Sequence, residues 1–261
     1  MGSFLSPMRT LAFSLVSILL ATAPAAFSNK EDDAEKVDLK TTDNMSLAAS
    51  FYLPKDTSSL VPGVLLVHDA GSSRRQLDEL AERLQRSGFA VLSMDLRGHG
   101  ESTSDGKPWA ELTEKDHNTL WAFAPRDVEA ASQWLARRKE VHSTNINIVG
   151  VRAASALATR QASRDQNVMA VVLVEPETET LGGFNMKDEI VDLEGLPTAI
   201  MACKSHVATA EAIARIGNEM GDPYVEVIES KSKEKSDTLE RRQIQDIVKW
   251  LQSKSMPRKG R

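Results

Sequence analysis

The chain has a single cysteine, Cys203, in 261 residues. That excludes a disulfide framework and a cysteine-rich zinc site. Histidine is also scarce, with five in all and none after His206. Basic residues are in no excess: 32 Lys and Arg stand against 37 Asp and Glu, for a formal net charge of -5. A general nucleic-acid binder needs a basic face to meet phosphates, and this balance does not supply one. No internal repeat or low-complexity tract occurs. Long apolar runs are missing too, because the stretch Leu11 to Ala21 is too short for a membrane span.

What is present begins with that stretch. Arg9 is the only charge ahead of it, and small residues follow. An export signal over residues 1–28 is expected, cut after Ala25 or Ser28, which would place the mature chain in a periplasm or outside the cell with no transmembrane span. Met8 is an alternative start. A charged linker is expected at 29–36, one domain at 37–253, and a basic tail at 254–261 that frays. At this length one large α/β domain suffices.

Within the domain, apolar runs alternate with amphipathic segments. Val37 to Thr41 and Leu47 to Leu53 predict two strands joined by a polar turn at Asp43-Asn44. The uninterrupted run Gly63 to His68 predicts a buried parallel strand. Leu77, Leu80, Ala81 and Leu84 fall on one helix face, and Gly88 closes that helix. Further strands are predicted at Ala90 to Met94, Asn145 to Val149, Ala170 to Val174, Thr198 to Ala202 and Tyr224 to Ile228. Helices are predicted at Arg126 to Arg138, Arg152 to Arg164, Val207 to Met220 and around Ile244 to Leu251. Eight strands separated mostly by helices imply a three-layer α/β architecture, with a mainly parallel sheet and helices on both faces. In such sheets, ligands lie beyond the carboxyl ends of the strands.

The loops at those ends carry a resemblance. Val64-Leu-Leu-Val-His-Asp-Ala-Gly-Ser-Ser73, followed by a helix and then Ser93-Met-Asp-Leu-Arg-Gly-His-Gly-Glu-Ser102, resembles the α/β-hydrolase superfamily. The first piece is similar to the strand that leads into the oxyanion loop, the second to the Asp-x-Arg-Gly-His-Gly-x-Ser turn. The short connection from Val174 to Thr198 leaves little room for a lid. It is therefore closer to the compact dienelactone-hydrolase-like and acyl-peptidase-like members than to lipases.

The resemblance also shows what has been lost. Active members place a nucleophilic serine in Gly-x-Ser-x-Gly, on a sharp strand-to-helix turn. Here the segment is Gly150-Val-Arg-Ala-Ala154, with Arg152 at the nucleophile position and Ala154 at the second glycine. Arginine has no nucleophilic lone pair to offer. The triad acid, expected after the next-to-last strand, has no counterpart before Glu211. The triad histidine, expected after the last strand, is absent from Val225 to Asp237. All three roles are vacant, each in its own loop.

Other candidates have plain structural readings. Ser155 is a small helix-packing residue. Ser72 and Ser73 are N-caps for the helix that follows. His68 holds the strand end and His99 belongs to a glycine-set turn. His117 and His142 are surface residues. Cys203 and His206 could form a nucleophilic pair, but the cysteine ends a buried strand. Glu175 and Glu177 follow the strand after the elbow helix, a region that supplies the acid in some members. His68, His99 and Glu175 have no metal-ligand spacing, and no metal or cofactor is expected.

The elbow itself remains informative. The resemblance implies an oxyanion hole built from the N–H groups of Ala153 and Ala70. Arg152 adds a full positive charge beside it. That charge needs either an internal carboxylate, with Glu175, Glu101 and Asp69 as candidates, or a bound carboxylate or phosphate ligand. The expectation is an exported, non-catalytic hydrolase-fold protein that binds a small anionic ligand or a protein partner through the old cleft. The alternative is a hydrolase, esterase- or peptidase-like, working through other residues.

Overall fold

The computed structural model describes Gly2 and residues 34–103, 107–219, 224–230 and 238–256. The export signal at 1–28, and the end of the basic tail, lie outside the described residues. Eight strands form one sheet in the order β1-β2-β4-β3-β5-β6-β7-β8. They are β1 Glu35–Lys40, β2 Ser46–Tyr52, β3 Val61–Val67, β4 Ala90–Met94, β5 Val141–Val151, β6 Val168–Val174, β7 Thr198–Ala202 and β8 Val225–Glu229. β1 runs antiparallel to β2, and β2 antiparallel to β4. Every other pairing is parallel.

The apolar runs are uninterrupted because both faces of the sheet are covered. In β3 successive side chains point to opposite faces: Val64 and Leu66 join one core, Leu65 and Val67 the other. The first of these cores is completed by α1 (Asp78–Arg86) and α7 (Arg241–Ser255). The second is completed by α3 (Pro125–Ala136), α4 (Ala154–Ala162) and α6 (Val207–Asn218). α1 ends as its glycine demands. Gly88 adopts φ 93°, Phe89 N–H donates to the Leu84 carbonyl at 3.1 Å, and Gly88 N–H donates to that of Gln85 at 3.1 Å. That pair of bonds is the Schellman closure, which a residue with a Cβ would strain.

Three local expectations differ from what forms. Ser73 sits at an N-cap position but makes no capping bond. The Asp95 carboxylate takes its place, accepting the Arg74 N–H at 2.7 Å. α7 continues to Ser255, past the start of the expected tail, because Ser255 Oγ donates to Asn147 Oδ1 at 2.6 Å and its carbonyl accepts from Asn145. α2, Glu114–Phe123, was not foreseen. Its only buried residue is Trp121, so no apolar stripe marks it. A capping box, Thr113 with Asp116, starts it. The connection from β6 to β7 holds only the short helix α5, Met186–Glu189, and 3-10 turns, one of which packs Gly182 against α2. Among the described residues no helix is long and apolar enough to cross a membrane.

Candidate functional site

The carboxyl ends of β3, β5 and β6 meet at a cleft of about 460 Å³. β5 enters it through a sharp turn. Gly150 packs so closely that an added Cβ would lie 2.7 Å from the Ala154 carbonyl oxygen and from the Ala158 Cβ. Arg152 follows with φ 50°, the left-handed region that a side chain rarely adopts. Its N–H donates to the Val174 carbonyl at 2.8 Å, and its own carbonyl accepts from Ser155 at 3.0 Å. The strained elbow therefore persists although its residue is an arginine.

The N–H groups that point into the cleft are already engaged. Ala70 N–H donates to Asp69 Oδ1 at 2.8 Å, and Ala153 N–H donates to the same oxygen at 3.2 Å. A carboxylate oxygen of the chain thus occupies the point on which the two donors converge. The other oxygen, Oδ2, lies 3.5 Å from Arg152 Nη1. Arg152 Nε lies 3.8 Å from Glu177 Oε1. Burial pushes the Asp69 carboxyl up, while the Ala153 N–H, Arg152 and the Ala70 N–H pull it down.

Of the three internal partners considered for Arg152, only Asp69 stands beside it. Glu101 pairs with Arg74 at 2.9 Å. Glu175 turns to the other side of its strand end, accepting from the Cys203 N–H at 2.7 Å. A vacant anion site is therefore not what the elbow provides, because Asp69 already fills it. Glu114, Glu177 and Glu179 also line the cleft, so carboxylates outnumber the single Arg152.

Arg152 is partly buried, with its side chain 21 % exposed and Asp69 and Glu177 both beside it. Arg152→Met should therefore cost about 1–2 kcal/mol, between a surface pair and a buried one. Urea unfolding reads the difference, and an unchanged midpoint would mean that these pairs add nothing to the fold.

His68 and His99 are both fully committed to backbone. His68 accepts from the Leu96 N–H at 3.0 Å on Nε2 and donates from Nδ1 to the Asp69 carbonyl at 2.7 Å. His99 accepts from the Gly71 N–H at 2.9 Å on Nε2 and donates from Nδ1 to the Arg97 carbonyl at 3.0 Å. Burial drives His68 down to about 4. Burial, then the neighbouring His68, drives His99 down to about 3. Neither ring has a free nitrogen for a proton or a metal. They stitch the β3 and β4 loops together, with the His99 ring stacked on Trp109 at 4.0 Å.

The rest of the β4 turn is a clamp. Asp95 accepts from the N–H groups of Arg74 and Glu101 and pairs with the Arg74 guanidinium. A Cβ at Gly100 would lie 2.2 Å from Asp95 Oδ2, so only glycine fits there. Ser102 Oγ donates to the Asp95 carbonyl at 2.8 Å and accepts from Ala48. Arg97 pins the turn to α3 through buried Asp127. The motif is thus explained by loop architecture without any catalytic demand.

The sheet order, the strained turn after β5 and the paired histidine-bearing loops after β3 and β4 together give the chain the α/β-hydrolase fold. A family model for serine aminopeptidases of type S33 matches residues 61–180, from β3 to the loop after β6. An esterase from Pyrococcus furiosus is similar in structure, with 16 % identity and a TM-score of 0.64, over 85 % of this chain and 91 % of the esterase. A dienelactone hydrolase from Anabaena variabilis gives 16 % and 0.61, over 85 % and 99 %. The α/β hydrolase GrgF from Penicillium sp. gives 11 % and 0.67, over 85 % and 99 %. At such identities the likeness is one of fold. No curated protein matches the chain.

The superfamily fold gives each remaining candidate its place. Ser155 is fully buried and donates to the Gly150 carbonyl at 3.2 Å. Cys203, at the end of β7, is also fully buried. Glu114 and Asn118 of α2, with Glu179 and Thr180, line the cleft but were not among the residues singled out from sequence. The Thr113–Asp116 capping box was the one signal that could have placed α2 there.

Proposed function

We propose that this protein is a non-catalytic member of the superfamily that uses the cleft beside Arg152 to bind a ligand or a partner. One observation carries the reading: Asp69 Oδ1 accepts both N–H groups that would stabilise an oxyanion. In acyl transfer those donors must be open to the charge that develops on the substrate. Here a fixed negative charge holds them, and the neighbouring side chain that should attack is a guanidinium. A free anion is a poor occupant of the cleft, because it would have to displace Asp69 and face Glu114, Glu177 and Glu179. Export of the mature chain belongs to the same proposal, supported by Arg9 and the apolar stretch that follows it.

The alternative, a hydrolase with unorthodox residues, draws no support from the serine and cysteine side chains nearest the old triad positions. Ser102, Ser155 and Cys203 are all buried. The test is direct. The purified chain should neither turn over short acyl nitrophenyl esters above background nor label with a fluorophosphonate. Arg152→Ser should leave it inert, since no histidine is placed to take the hydroxyl proton and Asp69 still fills the hole. Stoichiometric labelling of the wild-type chain at one residue would overturn the reading.

A further inference from the structure

A second cluster lies at the ends of β6 and β7, away from the Asp69–Arg152 pair. Glu175, Cys203 and His206 each offer a ligand atom there, and these atoms all lie within 4.8 Å of one another. We propose that this trio binds a divalent zinc-like ion, with Glu175 carboxylate, Cys203 thiolate and His206 imidazole as its protein ligands.

Four features support the assignment. The donor set combines a soft thiolate, an imidazole and a carboxylate, the combination that suits zinc. The Glu175 carboxylate is already oriented: Oε1 accepts from the Cys203 N–H at 2.7 Å and from Gln243 Nε2 at 3.3 Å, which leaves Oε2 facing Cys203 Sγ at 3.4 Å. Such outer bonds fix a metal-ligating carboxylate. Glu175 is also held at φ 52°, a conformation that a non-glycine residue keeps only under constraint. Finally, His206 Nδ1 is buried with no hydrogen-bond partner among the described residues. A buried ring nitrogen left so has an unmet interaction, and a metal ion would meet it.

The fit is close. Bonds of about 2.3 Å to sulfur and about 2.0–2.1 Å to nitrogen and oxygen place tetrahedral ligand atoms some 3.3–3.7 Å apart. The trio therefore needs to contract by at most about 1.5 Å, and His206 sits at the start of α6, where a side-chain rotation brings it in. Access runs past Lys204 and Ser205, which are exposed, and Ser205 Oγ lies 3.2 Å from Cys203 Sγ. Three protein ligands leave a fourth position for water. On binding, the thiol proton, now shared with Glu175 Oε2, leaves to solvent, and the sulfur lone pair forms the bond to the metal.

The presence of one cysteine in the whole chain makes the test unambiguous. The purified full-length chain is stripped with a chelator and titrated anaerobically with cobalt(II) alone. The expected result is a thiolate-to-cobalt charge-transfer band that saturates at one equivalent and is bleached by zinc(II). Cys203→Ser should abolish the band, and His206→Gln should weaken binding by about tenfold or more. For a readout that needs no variant, X-ray absorption of the zinc-loaded wild type should show one sulfur scatterer at about 2.3 Å. Absence of the band, its survival in Cys203→Ser, or a zinc shell without sulfur would overturn the proposal. None of these outcomes bears on whether the Arg152 cleft is catalytic, so the two readings fail separately.

Discussion

Acidification from about pH 8 to about pH 5 should remove about 4 kcal/mol of stability through His68 and His99 alone. The two rings are buried, neutral and bonded through both nitrogens to backbone. Their folded values, about 4 and about 3, lie well below that of a histidine in an unfolded chain. The unfolded state therefore takes up protons, from about pH 6.5 downward, that the folded state refuses. Each ring contributes about 1.4 kcal/mol per pH unit until its folded value is reached. That stability is complete above pH 6.5 and is lost as the pH falls towards 4. Asp69, Asp78 and Glu189, which burial pushes up, act in the opposite sense near the bottom of that range, so the comparison is cleanest above pH 5. Urea midpoints at the two pH values give the size, and ring proton resonances give the assignment. Ring signals that titrate near 6.5 in the folded protein would show the mechanism to be wrong.

Asp127→Ala should cost about 3–5 kcal/mol, the range for stranding one member of a buried pair. Asp127 is fully buried and accepts from Arg97 three times, on its N–H at 2.9 Å, Nε at 2.9 Å and Nη2 at 2.6 Å. Removing it leaves a buried guanidinium whose one carboxylate partner among the described residues is Asp43, which Arg97 Nη1 reaches at 2.9 Å. Glu35→Ala is the control. Its partner Arg138 is at 3.2 Å with both side chains substantially exposed, so the expected loss is about 0–1 kcal/mol. Equal losses in the two variants, read by urea unfolding, would refute the burial argument.

The sheet was legible in the sequence because its strands are covered on both faces. Val64 to Val67 and Val171 to Val174 have nowhere polar to point, so the pattern is plain. α1 and α3 showed through their single apolar faces. α2 did not, because it buries only Trp121 and spends its other side chains on the surface and the cleft. The Arg152 elbow was legible from Gly150 and the residues around it. Asp69 was among the partners considered for Arg152, but its hold on the oxyanion donors was not legible, since it depends on an N–H 84 residues away at Ala153. Nor does spacing separate Glu175 from Glu177. They stand two residues apart, and only the left-handed backbone at Glu175 sends one towards Cys203 and leaves the other near Arg152.

Asp69 is attached to the hole it occupies. A tethered group competes at an effective concentration on the order of millimolar even on a slack tether, and more when it is held in place. An outside acid must therefore match that local concentration before it reaches the Ala70 and Ala153 donors. The site carries its own resident competitor, one whose departure needs no dissociation, only the swing of a single side chain.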